Sequence, residues 1–263
     1  MLGHREHERA RLDAQARRIE PATRLLLRAS GIAAGARVLD LGTGLGHVAQ
    51  LVAELIGPNG SIVGLDQSAD VLEEARRRAG NDPRIVFAQG DVTSWRDAEP
   101  FDVIVGRLVL FHVADPVAVV RHLLANLRPG GLFVAIDFDI GSARTEPAVP
   151  LLHESVRWIS AAFAAAGAWP NIGARLGVIL EDAGLSDVTT FGVQGYIPPR
   201  SPEAPALVAA VVRSLEDVIV AHGIATREQL GMETLESRFA EALTRANAVL
   251  LPPAVCGAWG RRQ

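Results

Sequence analysis

From residue 38 onward the chain alternates between two hydrophobic patterns. Short, nearly continuous apolar runs occupy Val38-Leu39-Asp40-Leu41 and residues 61–66, 85–88, 101–106 and 132–137. Between them lie segments whose apolar residues recur at three- and four-residue steps, as at Val48, Leu51, Val52 and Leu55. The first pattern predicts strands covered on both faces, and the second predicts amphipathic helices. Strand followed by helix, repeated, builds a parallel sheet with helices on both sides, so the expected fold class is α/β.

Punctuation between the runs supports the division. Gly57-Pro58-Asn59-Gly60 reads as a turn, and Ser68 as the N-cap of a helix reaching Ala79. Asp115-Pro116 offers an N-cap and an N1 proline to a helix ending at Leu127-Arg128-Pro129-Gly130-Gly131. Residues 4–30 carry apolar positions at Leu12, Ala16, Ile19 and Leu25–Leu27, and predict one or two amphipathic helices broken near Pro21. Arg5, Arg9, Arg11, Arg17, Arg18, Arg24 and Arg28 fit a solvated face of that segment, or a lid. Residues 141–170 lose the alternation and hold Arg144, His153, Arg157, Trp158, Phe163 and Trp169. A helix ending at Glu181–Leu185 follows, then a strand over about 188–196. A proline-rich connection leads into two helices over about 204–222 and 226–247, and a last strand lies near 254–259.

The first strand runs into Gly42-Thr43-Gly44-Leu45-Gly46 and then directly into a helix. Glycines there permit positive φ and close approach of a ligand to the backbone, and the free amides of the helix start favour an anion. Ligands in such sheets sit beyond the carboxyl ends of the strands. Gly42–Gly46, Asp66, Gly90–Val92 and Arg107–His112 all fall there. Asp66 ends the second strand, where an acid can accept hydrogen bonds from ribose hydroxyls, with Gln67 beside it. Asp91 can accept from an adenine amino group while Val92 packs on the ring.

Composition narrows the setting. The 263 residues are 49 % hydrophobic and 21 % charged, enough for a sizeable core. No apolar run approaches the roughly 18 residues of a membrane helix, and the charged N-terminus has no signal-peptide core, so a cytoplasmic protein is expected. A single cysteine, Cys256, excludes an internal disulfide. The net charge of −4 argues against a nucleic-acid partner. All 26 Lys/Arg residues are Arg, as GC-rich bacterial coding would give, and lysine Schiff-base chemistry is excluded.

The spacing Gly42-x-Gly44-x-Gly46, preceded by Val38-Leu39-Asp40-Leu41, resembles motif I of the class I S-adenosylmethionine (SAM)-dependent methyltransferases. The segment from Asp115-Pro116 to Leu127-Arg128-Pro129-Gly130-Gly131, followed by an apolar strand, resembles their ubiquinone/menaquinone-biosynthesis-like branch. The resemblance covers about residues 36–140. It implies a Rossmann-like, seven-stranded, mostly parallel sheet with a helical cap, and a last strand inserted antiparallel between the fifth and sixth. Residues 1–30 would form a helical lid on a SAM-binding domain of 31–263, with cap insertions at about 141–170 and 200–247. The implied cofactor is SAM, held by Asp40, Gly42, Thr43, Gly44, Gly46, Asp66, Gln67, Gly90, Asp91, Val92 and Arg107. Arg107 could alternatively bind an anionic substrate.

Transfer to a hydroxyl or acidic C–H needs a base. His112, after the fourth strand, ranks first, with organisation of the next helix as its alternative role. Asp137, at the end of the fifth strand with Asp139 two residues on, ranks second, and His153 third. No metal site is recognisable in these residues. The Asn/Asp-Pro-Pro-aromatic motif of nucleic-acid amino-methyltransferases is replaced by Gly106-Arg107-Leu108-Val109. A small-molecule acceptor is therefore expected, bacterial secondary metabolism being one setting. A pocket beneath Trp158, Phe163 and Trp169 would favour an apolar or aromatic compound. A nicotinamide-dependent oxidoreductase and a SAM-binding protein that does not methylate remain as alternatives; a homodimer is left open.

Overall fold

The computed structural model describes residues 2–263, with side chains from Asp13 onward except that of Gln15. The expectations for the side chains of Arg5, Arg9, Arg11 and Leu12 lie outside it. The parallel strands are β1 (Arg37–Leu41), β2 (Ser61–Asp66), β3 (Ile85–Gln89), β4 (Phe101–Arg107) and β5 (Leu127–Asp139). They are joined by β7 (Leu185–Val193) and β9 (Ala254–Arg262) in a seven-stranded sheet ordered β3-β2-β1-β4-β5-β9-β7. β9 runs antiparallel to both neighbours, the insertion expected for the last strand.

Alternation along each strand divides the core between the two faces. Val38, Ile62, Val103, Val105, Val134 and Ile136 pack beneath α1 (Leu2–Ala29) and α2 (His47–Ile56). Leu39, Leu41, Ile104, Phe133 and Ala135 face the opposite way. There they meet α4 (Pro116–Leu123), α5 (Pro150–Ala165), α6 (Leu176–Asp182) and α7 (Glu203–Ala221). Between β2 and β3, α3 (Ala69–Ala79) begins at the expected cap, where the Val71 amide donates to Ser68 Oγ.

Several boundaries differ from the sequence reading. The segment expected as one or two helices over 4–30 is the single helix α1, which ends at Ala29 and carries Pro21 inside it. A proline there removes one backbone hydrogen bond, but the turns beyond it are held by burial of Leu26 and Leu27. The Thr23 hydroxyl also donates to the Ile19 carbonyl at 2.8 Å. β5 starts at Leu127, five residues early, because Leu127 already pairs with Phe101 before the Arg128–Gly131 excursion resumes the ladder at Leu132. β7 starts at Leu185 and stops at Val193, leaving Tyr196 exposed. The second of the two late helices is divided into α8 (Arg227–Leu230) and α9 (Leu235–Ala246), since Gly231 ends α8 in the left-handed conformation. Residues 141–170 hold α5 and a short β6 (Arg144–Glu146), which pairs with β8 (Val249–Leu251) in an unforeseen two-stranded sheet.

Candidate active site

The carboxyl edge of the sheet is built around the turn after β1. Gly42, Gly44 and Gly46 all have positive φ, of 54°, 56° and 81°. At Gly42 a side chain is excluded twice over, because Val109 Cγ2 stands 2.7 Å from where its Cβ would be. At Gly44 the same position meets only the Gly42 carbonyl at 3.9 Å, so the turn presents bare backbone on that side. Asp66 fixes the turn from the end of β2: its Oδ2 accepts from the Gly44 amide and its Oδ1 from the Ser68 amide, both at 3.0 Å. The Asp66 carbonyl accepts from the Gly90 amide at 3.0 Å, and the exposed Gln67 accepts through its carbonyl from Gln89 Nε2 at 3.0 Å. These contacts join the ends of β1, β2 and β3 into one rim.

Asp91 is exposed on this rim, and its Oδ1 accepts from the Thr93 amide and hydroxyl, each at 2.8 Å. Those donors hold its carboxyl below the usual carboxylate range. Val92 beside it is half-buried. The bare backbone at Gly44, the oriented carboxylate of Asp66 and the Asp91–Val92 pair suit the amino-acid, ribose and adenine parts of a SAM-like nucleoside.

Three of the residues expected at the ligand are enclosed below the turn. Asp40 is fully buried, with Oδ2 accepting from the Thr43 hydroxyl at 2.6 Å and Oδ1 unpartnered. Burial pushes its pKa up to about 7, although Thr43 and Arg107 pull the other way. Thr43 is itself only 5 % exposed. Asp40 and Thr43 therefore shape the turn from below, because a carboxylate one residue inside a buried strand end has no route to solvent. Arg107 points into the protein and donates to Thr23 Oγ1 of α1 at 3.2 Å. Its desolvation lowers its pKa against the attraction of Asp40 and Glu20.

The two candidate bases are separated by the same logic. His112 lies exposed on the short turn Leu110–His112, its ring edge-on to Phe111 at 4.9 Å. Asp137 is 1 % exposed, with no well-aligned hydrogen bond to either oxygen. Burial raises its pKa to about 8, opposed by the backbone N–H groups of Phe111, Phe138 and Leu110. Asp137 thus sits under the turn that carries His112, where burial favours its protonated form. Asp139 is also raised by burial, and its backbone carbonyl accepts from the Ser142 hydroxyl at 2.7 Å.

The aromatic pocket expected from residues 158–169 does not form. Trp158 is in the core at 2 % exposure, Phe163 stacks edge-on to Phe111 at 5.0 Å, and Trp169 donates through Nε1 to the Val113 carbonyl at 3.1 Å. Helical spacing buried the first and half-buried the second. Two cavities flank this edge. One, of about 420 Å³, is lined by Gly141, Ala143, His153 and Arg157 among others. The second, of about 580 Å³, lies between Asp115, Trp169, Asn171 and Arg175.

Sequence reasoning missed the fastening of α1. Asp13 accepts from Arg78 of α3, with Nη2 at 2.6 Å, and lies 3.0 Å from His47 Nε2 at the start of α2. Arg24 pairs with Glu54 of α2. Arg78 holds the Asp13 carboxyl low, and desolvation lowers His47. Leu108 was also missed: it leaves β4 at φ 58°, a strained value for a leucine that swings Val109 onto Gly42. Neither had a signal in the sequence. Among the described residues there is no group of three or more His, Cys, Asp or Glu that could hold a metal, and no helix is long and apolar enough to cross a membrane.

A family model described as a methyltransferase domain matches residues 32–172. A trans-aconitate 2-methyltransferase of Methylobacterium radiotolerans is 34 % identical over 173 residues, covering 65 % of this chain and 62 % of that relative. The chain thus matches less than two thirds of that relative's length. Among solved structures, the YcgJ protein of Bacillus subtilis superposes with a TM-score of 0.60 at 17 % identity, over 93 % of this chain and 99 % of that one. A Haemonchus contortus phosphoethanolamine N-methyltransferase 2 in complex with S-adenosyl-L-methionine gives 0.58 at 21 %, over 92 % and 53 %. With the strand order, the glycine turn and a family model over more than half its length in agreement, the chain belongs to the methyltransferase-domain family of class I, SAM-dependent methyltransferases.

Proposed function

We propose that this protein moves a methyl group from SAM to a small-molecule acceptor. The observation that carries the reading is the clamp of Asp66 on the Gly44 amide, which orients an acid beside bare backbone at the end of the first two strands. SAM, when bound, supplies a methyl on a sulfonium already activated for in-line displacement. The chain's part is to position and to move a proton. Gly42, Gly44 and Gly46 give the amino-acid end close access to the backbone. Asp66, with Gln67 beside it, orients the ribose hydroxyls, and Gly90, Asp91 and Val92 receive the adenine. Asp40, Thr43 and Arg107 hold the turn from below. Holding donor and acceptor in line accounts for much of such a rate.

For a hydroxyl or C–H acceptor, a ring nitrogen of His112 takes the proton. Its exposure at the end of β4 supports this role, whereas the burial of Asp137 supports a positioning role under the same turn. Residues 1–30 then act as a lid on a catalytic domain of 31–263, with cap segments at about 141–170 and 200–247. The ties of Asp13, Thr23 and Arg24 to α2, α3 and Arg107 support that division. The net charge of −4 supports an acceptor other than a nucleic acid.

Labelled methyl should pass from SAM into the small-molecule fraction of a bacterial extract, with trans-aconitate the first pure acceptor to try. Label in RNA or protein would overturn the acceptor class, and intact SAM after acceptor turnover would overturn methyl transfer. Asp66→Ala should raise the Kd for SAM at least about tenfold, by loss of charge-assisted hydrogen bonds, as read by calorimetry. An unchanged Kd would remove Asp66 from the site. His112→Gln should lower kcat by about 10²–10⁴-fold with SAM affinity unchanged; an unaltered kcat would leave proton removal to another group or to none.

Asp137 gives a stability test. An unfolded aspartate ionises near pH 3.9, whereas Asp137 in the fold stays protonated to about 8. Between about pH 4 and 8 the unfolded chain binds fewer protons, so this carboxyl's contribution to stability is complete below that window and is lost as pH rises through it. Thermal unfolding of Asp137→Asn should therefore gain on the parent protein between pH 5 and pH 8. Parallel Tm profiles would mean that Asp137 is ionised in the fold.

A further inference from the structure

The cavity of about 420 Å³ opens beside the carboxyl end of β5, since Gly141 and Ala143 line it and β5 ends at Asp139. It falls in the range of about 300–1,000 Å³ typical of small-molecule sites. Its wall is one stripe of α5. His153, Val156, Arg157 and Ser160 recur at three- and four-residue steps and all line the space, while Leu152, Ser155, Trp158, Ile159 and Ala162 face the core. The lining carries two groups capable of positive charge and a hydroxyl, and no acid: Glu154, the neighbour of His153, is not part of it. Both side chains are exposed, and among the described residues no carboxylate pairs with either, so each is open to an anion. Val156, Ala143 and Ile224 supply the apolar remainder.

From this arrangement we propose that the methyl acceptor is a small organic acid, and that a carboxylate of it is anchored by Arg157 and His153 of α5. This rests on the methyl-transfer reading above. Arg157 provides the planar fork that matches a carboxylate with two parallel N–H···O bonds. His153, one turn before it, donates from the same side, and the Ser160 hydroxyl is placed one turn beyond. The carbon skeleton lies against Val156, Ala143 and Ile224. The anchoring carboxylate fixes the molecule in the cap while another part of it reaches the rim where the methyl is delivered.

The test is calorimetric titration of the full chain, saturated with S-adenosylhomocysteine, using trans-aconitate and hexanoate and their uncharged counterparts trimethyl trans-aconitate and hexanamide. At least one acid should bind at least about tenfold more tightly than its uncharged counterpart. Arg157→Gln should remove most of that difference, and His153→Gln part of it. Arg175→Gln, in the second cavity, should leave it intact, and S-adenosylhomocysteine affinity should be the same in all variants. The proposal is overturned if neither acid binds, if the uncharged compounds bind equally well, or if Arg157→Gln changes nothing while Arg175→Gln weakens the acid. Loss of S-adenosylhomocysteine binding by the parent protein, with acid binding still dependent on Arg157, would instead overturn the methyl-transfer reading and leave the acid site standing.

Discussion

The hydrogen bond from the Gly44 amide to Asp66 joins the two strand ends on which the site depends. A parallel sheet sends every strand out at the same edge, but it does not fix the loops that follow. Here β1 leaves through three glycines of positive φ, and the turn closes on one backbone bond of its own, from the Gly46 amide to the Thr43 carbonyl at 2.9 Å. Asp66 supplies a partner from the next strand, and Asp40 supplies one from beneath through Thr43. The turn is therefore held from two sides while its outer face stays bare backbone.

The same edge separates buried carboxyls from exposed ones, and with them the roles they can take. Asp40 and Asp137 sit within the sheet, where desolvation holds their pKa values near 7 and 8. Asp91 lies outside, where backbone and hydroxyl donors favour its ionised form. Three aspartates at strand ends thus differ by environment alone. The inner two bear on the shape of the loops above them, through Thr43 and the amides of Leu110 and Phe111, and the outer one stays exposed on the rim.

The long N-terminal helix ties distant parts of the sheet and its flanking helices together. Leu26 of α1 fills the space above Gly257 of β9, where a Cβ would stand 2.9 Å from its Cδ2. Further along the helix, Thr23 meets Arg107, and Asp13 meets both Arg78 and His47. One helix thereby touches the sheet, the start of α2 and the helix that follows β2. Such partly buried ion pairs add little net stability, because desolvation offsets most of the attraction, but they fix orientation.

The sequence by itself determined the order of strands and helices, the glycine turn, the caps at Ser68 and Asp115, and the acid ending β2. Each of these rests on local chemistry: apolar period, positive φ, or a side chain bonding an amide three residues on. The family resemblance added the antiparallel insertion of β9. Tertiary structure alone decided which of these residues are enclosed and which stay at the rim. Asp40, Thr43 and Asp137 look in the sequence like Asp66 and Asp91, yet neighbours from distant strands enclose them. It also decided the continuity of α1 through Pro21, since burial of Leu26 and Leu27 outweighed one lost hydrogen bond. The pairing of Asp13 with Arg78, 65 residues apart, and the clustering of His153 and Arg157 with Ile224 were settled there too. Burial and long-range pairing are properties of the packed chain, and no local pattern carries them.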